Sequence, residues 1–169
     1  MGVNAFKLGV ISLIVFAIIL SAFSLLMPSV VVLNHSVLIK NVTTDIVKEK
    51  IYKLDQWKKW DERMKNSLVL VNGREVGFVS GKRNFVYKFS DSDSTGLIFT
   101  ANENGIEISN NRISLDPFAE AGGIQVQWQV LKKLKWYPWE KFAAIAQQKT
   151  NDPVAQKSLN NLKALLEKP

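Results

Sequence analysis

The stretch GGIQVQWQVLKKL, residues 122–134, decides the fold. Ile124, Val126, Trp128 and Val130 alternate with Gln125, Gln127 and Gln129, so one face is apolar and the other polar. Strands of that kind belong to an antiparallel sheet with one face covered and one face wet. Upstream, Phe85, Tyr87 and Phe89 alternate with Val86 and Lys88. Leu97 to Thr100 and Ile106 to Ser109 flank a turn around Asn102 to Gly105, and Ile113-Ser114-Leu115 continues the meander. SLVLV (67–71) and EVGFVS (75–80) form a hairpin whose Asn72-Gly73 is expected to take the positive φ angles of a type I′ turn. Asp91 to Thr95 reads as a further turn, and VVVLNHSVLIK (30–40) as a strand.

Helical periods occupy the rest. Thr43/Thr44-Asp45 caps a helix running to about Leu54, and DQWKKWDERMK (55–65) puts Trp57 and Trp60 on one face, as aromatic core anchors. Pro138 opens a long C-terminal helical tail, interrupted at Asn151-Asp152-Pro153 and resumed through Leu159, Leu162, Leu165 and Leu166. Its apolar side is expected to cover the inner face of the sheet.

The 169 residues include no cysteine and only His35 as histidine. Disulfides, zinc–thiolate and iron–sulfur sites, a thiol nucleophile and a His-rich metal centre are therefore excluded, and no metal or cofactor is expected. No P-loop, dinucleotide glycine pattern or nucleophile elbow occurs, and Asp91-Ser92-Asp93-Ser94 lacks the terminal Glu of a calcium loop. Asp61, Glu62, Glu75, Glu107, Asp116, Glu120 and Glu140 are scattered, with Glu107 directed to solvent. His35, between Asn34 and Ser36, is expected at a strand edge or on the surface.

LGVISLIVFAIILSAFSLLM, residues 8–27, carries no charge. It has the ~20 residues a helix needs to cross a hydrocarbon core of roughly 30 Å. Residues 1–28 are read as a membrane anchor that includes Leu8, Phe16, Leu20 and Met27, and 29–169 as the domain it carries. Ser12, Ser21 and Ser24 can return their hydroxyls to the helix backbone. The rival reading is a signal sequence cleaved near Ala22-Phe23-Ser24, but the apolar run continues through Leu25, Leu26 and Met27. Lys7 and the α-amino group favour a cytoplasmic N-terminus, hence a single-pass protein with a periplasmic or otherwise extracytoplasmic domain. The formal net charge of +7, with the basic–aromatic run Lys132 to Tyr137, reads as a solvated basic face or, beside the anchor, as a surface for anionic lipid, and not as a nucleic-acid site.

A resemblance joins these readings. The anchor ending in Leu26-Met27-Pro28-Ser29, the strand VLNHSVLIK, Trp57-Lys58-Lys59-Trp60, Tyr137-Pro138-Trp139-Glu140-Lys141-Phe142 and SLNNLKALLEK follow one another as in a known family. The chain resembles the membrane-anchored members of the SRPBCC superfamily, the START-like and polyketide cyclase/dehydrase-like proteins. It departs from them at Asn41-Val42-Thr43-Thr44, where the family has a Pro-rich turn. The resemblance implies an α+β helix-grip fold: a curved antiparallel sheet wrapped on a long C-terminal helix, enclosing an apolar cavity. Strand and helix parity makes Phe85, Tyr87, Phe89, Phe99, Ile108, Leu115, Val126, Trp128, Phe142 and Ile145 the candidate inward residues, serving as core or as cavity wall. Tyr87, Trp128 or Gln148 could supply polar handles. The function so implied is non-catalytic binding of a hydrophobic small molecule or lipid. The alternatives are a cyclase- or hydrolase-type enzyme with His35 or a buried carboxylate as general base, and a ligand-free protein-interaction domain.

Overall fold

In the computed structural model, which describes residues 2–90, 96–118, 122–150 and 153–167, the period-2 stretches become strands. These are β1 (Val30–Lys40), β2 (Val69–Asn72), β3 (Glu75–Ser80), β4 (Arg83–Phe89), β5 (Gly96–Glu103), β6 (Ile106–Phe118) and β7 (Gly123–Lys133). They form one seven-stranded antiparallel sheet in the order β1-β7-β6-β5-β4-β3-β2. Every step but one is a hairpin to the next strand; β1 joins at the far edge, beside β7. With its helices the chain is an α+β protein. The turn at Asp91 to Thr95, Glu120, and the interruption at Asn151-Asp152 lie outside the described residues.

β7 follows its sequence: Ile124, Val126, Trp128 and Val130 are buried, while Gln127 is exposed and Gln125 and Gln129 are half-exposed. The turns differ from expectation in one place. Asn104 (φ 50°) and Gly105 (φ 83°) both take left-handed backbone and close β5 onto β6, as a type I′ turn requires. Between β2 and β3, Asn72 is still paired with Glu75, so the two-residue loop is Gly73-Arg74 and only Gly73 has positive φ, at 56°. β6 is longer than its apolar pattern suggested, because backbone pairing on both sides carries it through Ser109 to Arg112. Ala101 faces Ser109 but Asn102 faces Glu107, which leaves Ile108 as the extra residue of a β-bulge.

Two compact units divide the chain: residues 32–132 with 150–169, and residues 1–31 with 133–149. In the first, α2 (Thr44–Tyr52) buries Val47 and Ile51 and stops two residues before Leu54, where a 3-10 helix (Leu54–Lys59) begins. Trp57 and Trp60 are fully buried, with ring centroids 4.6 Å apart. Each indole N–H has a backbone acceptor, Ile51 O at 2.7 Å and Lys50 O at 3.2 Å, so burial leaves neither donor unpaired. The Trp57 ring lies 5.2 Å from Phe99, 5.3 Å from Phe89, 6.0 Å from Tyr87 and 6.1 Å from Trp128, which makes a contiguous aromatic core.

The tail that Pro138 opens is two helices, α3 (Pro138–Thr150) and α4 (Pro153–Leu166), divided where the sequence placed the interruption, so the one long C-terminal helix that the resemblance implied is not formed. Proline lacks the N–H an interior helical residue must donate, so Pro153 can only start a helix. The C-terminal helix that shares a unit with the sheet is thus short, 14 residues, and buries Ala155, Ser158, Leu159 and Leu162. Asn161 Nδ2 donates to Trp60 O at 3.2 Å, Glu62 N donates to Ser158 Oγ at 2.9 Å, and Gln156 Nε2 reaches Ser36 O at 3.3 Å.

The second unit contains α1 (Gly2–Leu26) and α3. Phe6–Leu26 is long and apolar enough to cross a membrane, and its side chains are almost all exposed. Ser21 Oγ returns to Ala17 O at 2.8 Å, but Ser24 donates its hydroxyl to the carbonyl of Trp136.

Candidate functional site

Asp61 ends the turn that carries the two tryptophans. Its N–H donates to Trp57 O at 2.8 Å, and its Oδ1 accepts from the N–H groups of Arg63 (2.8 Å) and Met64 (3.2 Å), a side-chain turn that aspartate forms readily. The carboxyl is thereby held inside, 1% exposed, and no protein donor reaches Oδ2. Burial pushes its pKa up to about 6, against the opposing pull of the Arg63 charge and of the two backbone N–H groups.

Asp61 faces a small cavity of about 50 Å³ that Leu33, Ser109, Asn111, Trp128 and Ala155 also line. Trp128 Nε1 donates to Asn111 Oδ1 at 3.1 Å, and Asn111 Nδ2 donates to Ser109 Oγ at 3.1 Å. Such a space, polar on one side, has room for a few water-sized groups. Four of its walls, Arg63, Ile108, Lys132 and Val154, are shared with a wider cleft of about 540 Å³ that extends to Lys82, Arg83 and Phe85. Cations dominate this cleft: Arg63, Lys82, Arg83 and Lys132 stand against Glu103, which pairs with Arg83 at 3.3 Å. The bulge is what lets consecutive residues, Ile108 and Ser109, both line the inner cavity. A second cleft of about 450 Å³, between Tyr52, Asp55, Arg74, Phe89 and Leu97, lies elsewhere on the same unit.

His35 lies on an edge strand of the sheet, as one of the two sequence readings had it, but not on the surface. It is 3% exposed because β1 alternates strictly there, Leu33 and His35 inward, Asn34 and Ser36 outward. Gln129 donates to Asn34 Oδ1 at 3.2 Å and Asn41 N donates to Gly122 O at 3.3 Å. Both contacts fit one antiparallel register, which sets His35 across from Trp128. Neither ring nitrogen has a hydrogen-bond partner.

Of the candidate inward residues, Tyr87, Phe99 and Val126 are fully buried, and the two rings pack into the aromatic core. Ile108 and Trp128 line the cavity, Phe85 and Ile108 the basic cleft, and Phe89 the second cleft. Leu115 is half-buried toward the end of β6. Phe142 is 46% exposed on α3, in the unit that contains α1, so it is not on the helix that shares the sheet's unit. Ile145 and Gln148 also belong to α3, but their side chains lie outside the described residues. Of the residues expected in a membrane anchor, Leu8 and Phe16 are exposed and Leu20 and Met27 half-buried. Asp61 is one of 15 Asp and Glu residues in the sequence, and nothing in its neighbours singles it out. Among the described residues no three His, Asp or Glu side chains come together as a metal site would need.

No family profile matches the sequence, and neither does any curated protein. Solved structures do share the fold. A conserved protein from Geobacillus kaustophilus is 16% identical, with a TM-score of 0.60, covering 80% of this chain and 95% of its own. Ms6760 from Mycobacterium smegmatis is 13% identical with a TM-score of 0.59 over 82% of this chain and 91% of its own. XoxI from Bacillus cereus is 10% identical with a TM-score of 0.56 over 82% of this chain and 96% of its own. At such identities the likeness extends to the fold alone.

Proposed function

We propose that the chain is a membrane-anchored, START-like domain that binds an amphiphile, a lipid or membrane-derived small molecule, without chemical turnover. The observation that carries this reading is the joined cavity and cleft. Its apolar walls, Phe85, Ile108 and Val154, adjoin four cations, and its inner end offers Asp61 and Asn111. An anionic head would be held by Arg63, Lys82, Arg83 and Lys132, the apolar part would lie along the cleft, and a small donor group would reach Asp61. The aromatic core limits how deep such a ligand goes: it is held at the mouth. Retention of the anchor is supported by the contacts that the α1 end makes with Trp136 and Lys141, which cleavage near Ser24 would remove.

The test compares organic extracts of the full-length protein with those of Ile108→Trp, which fills both the cavity and the cleft. A molecule carried by the wild type and missing from the variant is the expected result. Identical extracts, with no uptake after incubation with total membrane lipid, would overturn the reading in favour of a ligand-free interaction domain.

A second reading, an enzyme of cyclase or hydrolase type, is favoured by Asp61 itself. A buried carboxyl with a pKa of about 6, one oxygen unpaired, beside a cavity, has the attributes of a general base. Turnover lost in Asp61→Asn but kept in His35→Ala would mark that chemistry.

A further inference from the structure

Lys141, on the first turn of α3, is 2% exposed. Its ammonium donates to Ser24 O at 2.7 Å, Met27 O at 3.0 Å and Ser29 Oγ at 3.3 Å, which accounts for all three of its protons. The last carbonyls of a helix have no partners within it and carry the negative end of its dipole, so a cation there is doubly favoured. Ser24 Oγ donates to Trp136 O, and Leu134 N donates to Ser29 O at 2.9 Å. The segment from Leu134 to Lys141 is therefore fastened to the C-terminal end of α1 by both backbone and side chains.

That fastening holds a set of aromatic rings in the open. Trp136 is 62% and Trp139 69% exposed. Tyr137 stacks on Trp139, centroids 5.1 Å apart and planes 7° from parallel, and lies 5.2 Å from Trp136. The Lys135 ammonium sits 5.7 Å from the Tyr137 ring centre, and Lys133 and Lys135 are exposed. Leu25 and Leu26, 74% and 84% exposed, belong to the same end of α1. In water two bare indoles are a liability. At a membrane surface the same rings are at their preferred depth, and each nearby lysine contributes about 1 kcal/mol of attraction to anionic lipid.

We infer that Lys133 to Trp139 form a docking surface for an anionic bilayer interface: the three rings lie at the headgroup–acyl boundary, Lys133 and Lys135 engage lipid phosphates, and Lys141 locks this platform to the membrane helix. The inference rests on α1 being a retained membrane helix.

The full-length protein is reconstituted in phosphatidylcholine vesicles with and without phosphatidylglycerol, using lipids brominated high or low on the acyl chain. Of the five tryptophans, Trp57, Trp60 and Trp128 are buried, so quenching by bromolipid reports on Trp136 and Trp139. Shallow bromine should quench more than deep, Trp136→Ala/Trp139→Ala should abolish most of the quenching, and Lys133→Glu/Lys135→Glu should remove the increase given by phosphatidylglycerol. Near-UV circular dichroism of the buried indoles verifies that the variants fold. Quenching by aqueous acrylamide with no effect of bromolipid, or quenching unchanged in the double tryptophan variant, would overturn the inference. Carbonate extraction of the vesicles separates the two claims. Protein released by carbonate defeats the anchor reading, whereas protein retained but unquenched defeats only the docking surface.

Discussion

Replacing Asp61 by Asn changes stability in a way that depends on pH, and both sign and size follow from the site. The folded carboxyl has a pKa of about 6 because it is buried, against an ordinary value of 3.8. Between those values the folded chain holds a proton that the unfolded chain has released, so stability falls as pH rises through this window. At ~1.4 kcal/mol per unit, the loss is complete above about pH 6 and amounts to about 3 kcal/mol. Asn keeps the oxygen that accepts from Arg63 and Met64 but never ionises, so the variant lacks this loss. Its amide takes the place of Oδ2 and adds a penalty of roughly 1–3 kcal/mol, which is independent of pH. The informative quantity is therefore the wild-type/variant difference at about pH 8 minus that at about pH 4. Part of the loss has already occurred at pH 4, so this quantity should favour the variant by about 2.5 kcal/mol, or ~5–10 °C in midpoint for a chain of this size. Urea and thermal unfolding of the full-length protein in mild detergent measure it. A difference that stays flat across this range would show that Asp61 titrates normally and that the site is open to water.

Two further outcomes test the sheet. A Cβ at Gly96 would meet the carbonyl oxygen of Ile113 at 2.5 Å on the neighbouring strand, so Gly96→Ala should destabilise the chain by about 1–3 kcal/mol in urea unfolding; an unchanged midpoint would mean β5 and β6 are not so closely paired. Trp128→Phe keeps a ring in the aromatic core but removes the donor to Asn111, and should destabilise by about 1–3 kcal/mol; combined with Asn111→Leu, much of that loss should be recovered, and strict additivity would argue against the pair.

Much of the sheet was legible because a half-buried strand writes its two faces directly into the sequence, as in Ile124 to Val130. β6 was harder: Ser109 and Asn111 are buried polar residues, satisfied by each other and by Trp128, and no period announces them. The surface reading of His35 failed for the related reason that polar flanking residues suggest an exposed strand, although alternation is the stronger rule. The candidate site was least legible. Asp61 is held inward by a turn, Ile108 by a bulge, and both depend on pairings tens of residues away. Lys141 shows the limit most plainly, since a lysine on the first turn of a helix gives no sign that the end of α1 will bury it.

The chain crosses between its two units three times, after residues 31, 132 and 149. The apolar N-terminal helix is consequently not an appendage that can be trimmed away. A version of the protein beginning at Ser29 would strip the Lys141 ammonium of the Ser24 and Met27 carbonyls. Preparations for crystallisation or ligand screening should therefore keep residues 24–28 or replace Lys141 along with them.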